Sequence, residues 1–191
     1  MNPIGIYFAF WEREWQGDYL AYVRKVKRLG FDILELGAGA LPEMSAAERR
    51  AVADAAKEEG VRLTYCIGLP PQYDVSSTDE SVRMEGVRYV STLLDCIGEM
   101  GGGTLGGIVY ACWPAVDMSY DRKAVIRGKA LLSVRELAKR AEDRGVTYCL
   151  EIVNRFEQCL LNTAEEGRAF VDEVGHPAVK LLLDSFHMNI E

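Results

Sequence analysis

Two acidic residues stand where acidic residues are expensive. Glu151 interrupts the apolar run Thr147-Tyr148-Cys149-Leu150-Glu151-Ile152-Val153, and Asp184 closes Val179-Lys180-Leu181-Leu182-Leu183. A lone charge inside an apolar strand costs several kcal/mol unless something pairs with it. The two are one strand–helix repeat apart, so adjacent parallel strands would set both carboxylates side by side at the same end of a sheet. Side by side they repel. A divalent cation between them is the simplest remedy, and oxygen ligands suit Mg²⁺ or Mn²⁺. The spacing leaves a second reading open, in which Glu151 pairs with Arg155 or Lys180 and Asp184 caps a turn.

The residues that follow add to the chemistry. Asn154-Arg155-Phe156-Glu157 trails the first carboxylate, and Ser185-Phe186-His187-Met188-Asn189 trails the second. His187 is one of two histidines. The other, His176, precedes Pro177 at the opposite end of its strand and reads as a turn residue. Aromatics gather at two other strand ends: Tyr7, Phe8, Phe10, Trp11 and Trp15 after the first, and Trp113-Pro114 after the fourth. Aromatic walls with a few polar groups suit a sugar-sized ligand, although core packing is the stronger expectation for Phe8 and Phe10.

The elements that must position these residues are marked by a loose repeat. Helical periodicity ends at a glycine, and a β-branched or aliphatic run follows. This occurs at Gly30, Gly60, Gly101, Gly145 and Gly175. Such glycines take the left-handed conformation that closes a helix. Ser45-Ala46-Ala47-Glu48, Ser77-Thr78-Asp79-Glu80 and Thr163-Ala164-Glu165-Glu166 each fit the box that opens one. In the first helix Tyr19, Val23, Val26 and Leu29 share a face. The pattern predicts strands at 4–9, 31–36, 61–67, 104–110, 146–153 and 178–183. Helices are predicted at 17–29, 45–59, 78–100, 122–144 and 163–174. Strict alternation of strand and helix means a parallel sheet in an α/β fold, with no linker or domain boundary. A doubly wound sheet and a (β/α) barrel both satisfy it. The glycines at 101–103 and 106–107 do not open a helix in a GxGxxG frame and read as close backbone packing, and the GxG at Gly37–Gly39 is too short for a dinucleotide turn.

Composition narrows the function. The 191 residues carry 22 basic and 29 acidic side chains, a net charge of −7, which argues against a phosphate-backbone binder. No apolar run reaches the roughly 20 residues of a membrane span, and the first residues do not read as a signal peptide. The five cysteines are odd in number and form no CxxC pair, which favours free thiols in a reducing cytoplasm.

Long motifs then carry a family resemblance. They begin with Gly5-Ile6-Tyr7, Trp11-Glu12-Arg13-Glu14-Trp15 and Leu29-Gly30-Phe31-Asp32-Ile33-Leu34-Glu35, and continue through Gly106-Gly107 and Trp113-Pro114. The strongest are Glu151-Ile152-Val153-Asn154-Arg155-Phe156-Glu157, Leu161-Asn162-Thr163-Ala164-Glu165-Glu166-Gly167, and Leu183-Asp184-Ser185-Phe186-His187-Met188-Asn189-Ile190-Glu191. In order and spacing the chain resembles the ketose 3-epimerases of the D-tagatose and D-psicose (D-allulose) type. The resemblance implies a (β/α)₈ TIM barrel and a metal-dependent isomerase that inverts carbon 3 of a ketose through an enediolate. It implies Mn²⁺ or Co²⁺, with Mg²⁺ as an alternative, and a homo-oligomer, dimer or tetramer. It makes Glu151 a metal ligand and one of two catalytic carboxylates, and Asp184 a second ligand. Glu157 and His187 would contact the sugar hydroxyls; Tyr7, Trp15, Ile67 and Trp113 would line the less polar side. Cys66 and Ala111-Cys112 depart from the family pattern and bear on sugar preference, not on the metal.

Length sets a further expectation. A complete eight-stranded barrel needs about 250 residues, and the family's remaining ligands, a His and a second catalytic Glu, come from later strands, as does a sugar-binding Arg. The 191 residues are expected to form a single, incomplete barrel domain of six strands and five helices that epimerises poorly by itself. An aldose–ketose isomerase and an inactive truncated product are the competing readings. A metal-dependent endonuclease fits the barrel but not two histidines and an acidic chain.

Overall fold

The computed structural model describes residues 2–191. Six strands alternate with helices: β1 (Gly5–Tyr7), α1 (Tyr19–Leu29), β2 (Ile33–Gly37), α2 (Ala46–Glu59), β3 (Arg62–Cys66), α3 (Glu80–Glu99), β4 (Gly103–Gly106), α4 (Lys123–Asp143), β5 (Val146–Ile152), α5 (Ala164–Val174), β6 (Val179–Leu183) and the single turn α6 (Ser185–Met188). Short 3-10 turns at Phe8–Phe10, Ala38–Glu43, Pro71–Tyr73 and Tyr120–Arg122 fill the loops after β1, β2, β3 and β4. All neighbouring strands are parallel, in the order β1-β2-β3-β4-β5-β6. A doubly wound sheet would reverse its order part-way. Unbroken sequential order is the wall of a (β/α) barrel.

The alternation of each strand sorts its side chains between two faces. Leu34 and Leu36 of β2, Tyr65 of β3, Leu105 of β4 and Tyr148, Leu150 and Ile152 of β5 point under the helices and are buried there. The opposite face looks into the barrel. The register sets Tyr7 beside Glu35, Glu35 beside Thr64, Thr64 beside Thr104 and Thr104 beside Thr147. Glu151 lies four residues beyond Thr147 and so shares that inner face. Its partner across the ladder is Leu182, which puts Asp184, two residues on, on the same side.

Five helices end as the glycines predict. Gly30, Gly60 and Gly175 cap α1, α2 and α5 in the left-handed region, and Gly101 and Gly145 sit one residue past the caps of α3 and α4 with φ of 100° and 66°. The starts differ more. Ser45 and Glu48 form the full reciprocal box. At α3 the cap is Asp79, which accepts from Ser81 and Val82 amides, because an aspartate nearer the helix competes successfully with Ser77. At α5 Thr163 accepts from the Glu166 amide, but Glu166 turns to Lys123 and to the Asn162 amide instead of closing the box. Leu29 is exposed; Tyr22 takes its expected place on the buried face of α1.

Strands β1 and β4 are shorter than the expected 4–9 and 104–110. β1 gives way to the turn that seats Phe8 in the core. β4 stops at Gly106, and Gly107 follows at φ 114°, so close to the segment after β3 that a Cβ would collide with the Ile67 carbonyl. Gly106 is packed against Leu182, and Gly102 against the Gly145 carbonyl at 2.5 Å from the position of an added Cβ, so these glycines serve backbone packing. Among the described residues no helix is long and apolar enough to cross a membrane.

Candidate active site

The carboxyl ends of the strands open into a cleft of about 1040 Å³. Strands deliver its floor: Tyr7 from β1, Cys66 and Ile67 at the end of β3, Glu151 from β5. Loops deliver its walls: Trp15, Trp113, Glu157 and His187. Seven of the eight candidate site residues named from the sequence, and Cys66 with them, therefore face one space. Asp184 is not among those lining the cleft. It sits at the rim, with one carboxylate oxygen capping α6 through the Phe186 amide at 2.7 Å.

Glu151, Asp184 and His187 nonetheless converge, each offering an atom within 4.8 Å of the others. Among the described residues no Lys or Arg forms an ion pair with Glu151 or Asp184. Arg155 is engaged by Glu191 at 2.6 Å. Lys180, opposite Cys149 on the inner side of β6, is exposed and makes no such bridge. The ion-pair alternative for Glu151 is thereby overturned: Arg155 is taken by Glu191, and Lys180 forms no ion pair with it. The alternative for Asp184, a turn cap, does hold, and it leaves the second oxygen of that carboxylate free of the capping bond.

Burial, with negative Asp184, Glu35 and Glu157 nearby, pushes the Glu151 carboxyl up to about 7. That is the signature of a cluster short of positive charge. A divalent cation would supply the missing charge, and the donor set of two carboxylates fits one. His187 is 7% exposed, with Nε2 3.6 Å from Glu151 Oε1 and Nδ1 2.8 Å from Asn154 Nδ2. Glu157 is held from two sides, by Trp113 Nε1 at 2.9 Å and Asn154 Nδ2 at 3.2 Å.

Tyr7 and Trp15 lie 6.3 Å apart between ring centroids and form one aromatic wall, and Trp113 forms another against Gly68. Two aromatics fall elsewhere. Phe10 is 76% exposed instead of packing in the core, since the 3-10 turn that buries Phe8 rotates its neighbour outward. Trp11 stacks on Tyr22 beneath the Lys25 ammonium and takes no part in the cleft.

One residue of consequence escaped the motif reading. Glu35 is held on the inner face of β2, hydrogen-bonded to Thr64 Oγ1 at 3.3 Å, and burial raises its carboxyl above the ordinary range. The signal was present: Ile33-Leu34-Glu35-Leu36 interrupts an apolar strand with a carboxylate just as the Glu151 run does.

Residues 23–191 match the family model described as xylose isomerase-like TIM barrel. The chain is 42% identical over 190 residues to a D-psicose 3-epimerase of Ruminiclostridium cellulolyticum, covering 98% of this chain and 64% of that protein. It is 40% identical to a D-psicose 3-epimerase of Agrobacterium fabrum, over 98% of this chain and 65% of the relative. A crystal structure of D-psicose 3-epimerase with D-tagatose, from Clostridium cellulolyticum H10, superposes with a TM-score of 0.96 at 41% identity, over 100% of this chain and 66% of that one. The chain thus spans just under two thirds of the length of these relatives. With six parallel strands in barrel order and a family model matched over most of its length, the chain belongs to the xylose isomerase-like TIM barrel family.

Proposed function

We propose that the cleft is the site of a metal-dependent ketose 3-epimerase acting on sugars of the D-psicose, D-tagatose and D-fructose type. The observation that carries this reading is the unpaired carboxylate couple, Glu151 and Asp184, set beside an aromatic-walled cleft with ample room for a sugar. The likeness to proteins named D-psicose 3-epimerase supports the choice of reaction. Glu151 and Asp184 hold the cation, Mn²⁺ or Co²⁺ by family resemblance. When bound, such an ion stabilises negative charge on the oxygens of an enediolate.

The chain's own residues do the rest. Glu151 reaches into the cleft from β5 beside the cation position, where its carboxylate can exchange a proton with carbon 3. Glu157, fixed by Trp113 and Asn154, accepts from a sugar hydroxyl. His187 faces the reacting end of the sugar. Tyr7, Trp15, Ile67 and Trp113 pack its less polar side and exclude water. We also propose a cytoplasmic homo-oligomer, on the cysteine pattern and the family resemblance.

Two measurements test the reading. Mn²⁺ should raise the melting temperature of the chain, and D-fructose or D-psicose should raise it further only with the metal present. Product analysis on the longest polypeptide that carries these 191 residues should give the carbon-3 epimer, with deuterium from D₂O at that carbon. An aldose product would favour the related isomerase reading, and no response to metal or ketose would refute both.

A further inference from the structure

A buried chain of hydrogen bonds runs behind the cleft wall, and its centre is Asn154. This residue is 2% exposed, three positions beyond Glu151. Its side-chain Oδ1 accepts from the Phe156 backbone amide at 3.0 Å. A backbone N–H can only donate, so the oxygen end of the carboxamide is fixed there and the NH₂ end must face the other way. Its two hydrogens have two acceptors in reach: Glu157 Oε1 at 3.2 Å and His187 Nδ1 at 2.8 Å. The Asn154 backbone N–H is aimed at the same His187 nitrogen, at 3.3 Å.

Nδ1 of His187 therefore faces two donors and needs its lone pair. A neutral imidazole carries one proton, and here it must sit on Nε2. Turning the ring over would place a carbon against both donors and waste them, so the ring orientation is fixed as well. Glu157 does not compete for a proton on Nδ1. The gap is 3.8 Å, beyond hydrogen-bond range, and its carboxylate oxygens are held by Trp113 and Asn154. Nε2 looks the opposite way, toward Glu151 and the cleft.

We propose that Asn154 is a positioning residue that sets His187 as an Nε2–H donor facing the cleft while anchoring Glu157 with its other hydrogen. With a proton on Nε2, His187 has no lone pair to give a cation held by Glu151 and Asp184, although it lies close to both. It offers an N–H to an oxygen of whatever the cleft holds. That this oxygen belongs to a ketose rests on the epimerase reading; the tautomer does not.

The chain has two histidines, which makes the test direct. Long-range ¹H–¹⁵N correlation spectra of the labelled chain at pH 8 distinguish a protonated from an unprotonated ring nitrogen, and His176→Gln leaves the His187 ring alone in the spectrum. The expected result is a protonated Nε2 and an unprotonated Nδ1. Asn154→Asp replaces the donor with an acceptor and should move the proton to Nδ1 or add a second one there. The His176 signals, read in Asn154→Asp alone, report whether that variant keeps its fold. A wild-type ring protonated at Nδ1, or one with averaged nitrogens, overturns the proposal without any variant at position 154. So does a folded Asn154→Asp chain whose His187 spectrum is unchanged. Adding Mg²⁺ with D-fructose should then shift the Nε2 resonance. A protonated Nε2 that ignores the sugar keeps the tautomer and overturns only the ketose role.

Discussion

Replacing Glu151 by Gln should stabilise the metal-free protein, though it removes the residue the site is built around. The carboxyl is lifted from 4.5 to about 7 by burial and by neighbouring negative charge. At about 1.4 kcal/mol for each tenfold change in proton affinity, that rise corresponds to about 3 kcal/mol. The folded state binds this proton more tightly than the unfolded one. The contribution is therefore favourable below about pH 4.5 and is lost as pH rises through about 7. Above that, the ionised group burdens the fold. Only 17% of the side chain is exposed, so solvent screening relieves little of the burden. Gln has nearly the same shape and no charge. In EDTA at pH 8 the variant should melt several degrees higher, up to about 10 °C for a domain of this size, and the difference should close near pH 4.5. With Mn²⁺ at about 1,000 times its Kd the order reverses, because the wild-type chain alone gains the roughly 4.1 kcal/mol that such saturation brings. Thermal melts by circular dichroism at two pH values, with and without metal, supply the four comparisons. An Glu151→Gln chain no more stable than wild type at pH 8 in EDTA would refute the claim that Glu151 carries an uncompensated charge.

Asp184→Asn should abolish the metal-dependent rise in melting temperature and leave the EDTA melt within a few degrees of wild type, since an Asn oxygen can still cap α6. Gly107→Ala should cost more than 3 kcal/mol, read as a lowered urea midpoint or loss of folded protein, because both its φ of 114° and the Ile67 carbonyl oppose a side chain. Ser133→Ala should cost about 1–3 kcal/mol in urea, because the fully buried hydroxyl joins Arg83 Nη1 at 2.9 Å to the Val75 carbonyl at 2.7 Å. Ser45→Ala should cost about 1 kcal/mol in the same assay by opening the α2 cap.

Much of the fold was legible because its punctuation is local. A glycine after each of five helices and an aliphatic run after each glycine are properties of a few adjacent residues, and the strands and helices formed where those signals stood. The misread cap of α3 and the half-formed box of α5 show the limit. Which of several hydroxyls or carboxylates caps a helix depends on competitors such as Lys123, brought in from 43 residues away. The site was legible for the same reason that it is costly: a carboxylate in an apolar strand is visible without coordinates. Roles that depend on orientation were not. Phe10 and Trp11 share a composition with the cleft aromatics and differ only in which way a 3-10 turn faces them. Asn154 could be quoted as part of a motif, but its place between Glu157 and His187 is a matter of distances.

The strictly sequential strand order has a kinetic meaning. Every strand pairs with the one made just before it, and each helix packs chiefly on its immediate neighbours. Among these six strands, the loop-closure cost of each addition is that of one repeat. A nascent chain of this kind can fold outward from its amino terminus, each new strand–helix pair docking on a finished template as it leaves the ribosome. The carboxylate couple is the exception to early completion. Glu151 emerges a full repeat ahead of Asp184, so the proposed cation site would form late, as a checkpoint that only correctly stacked β5 and β6 can pass.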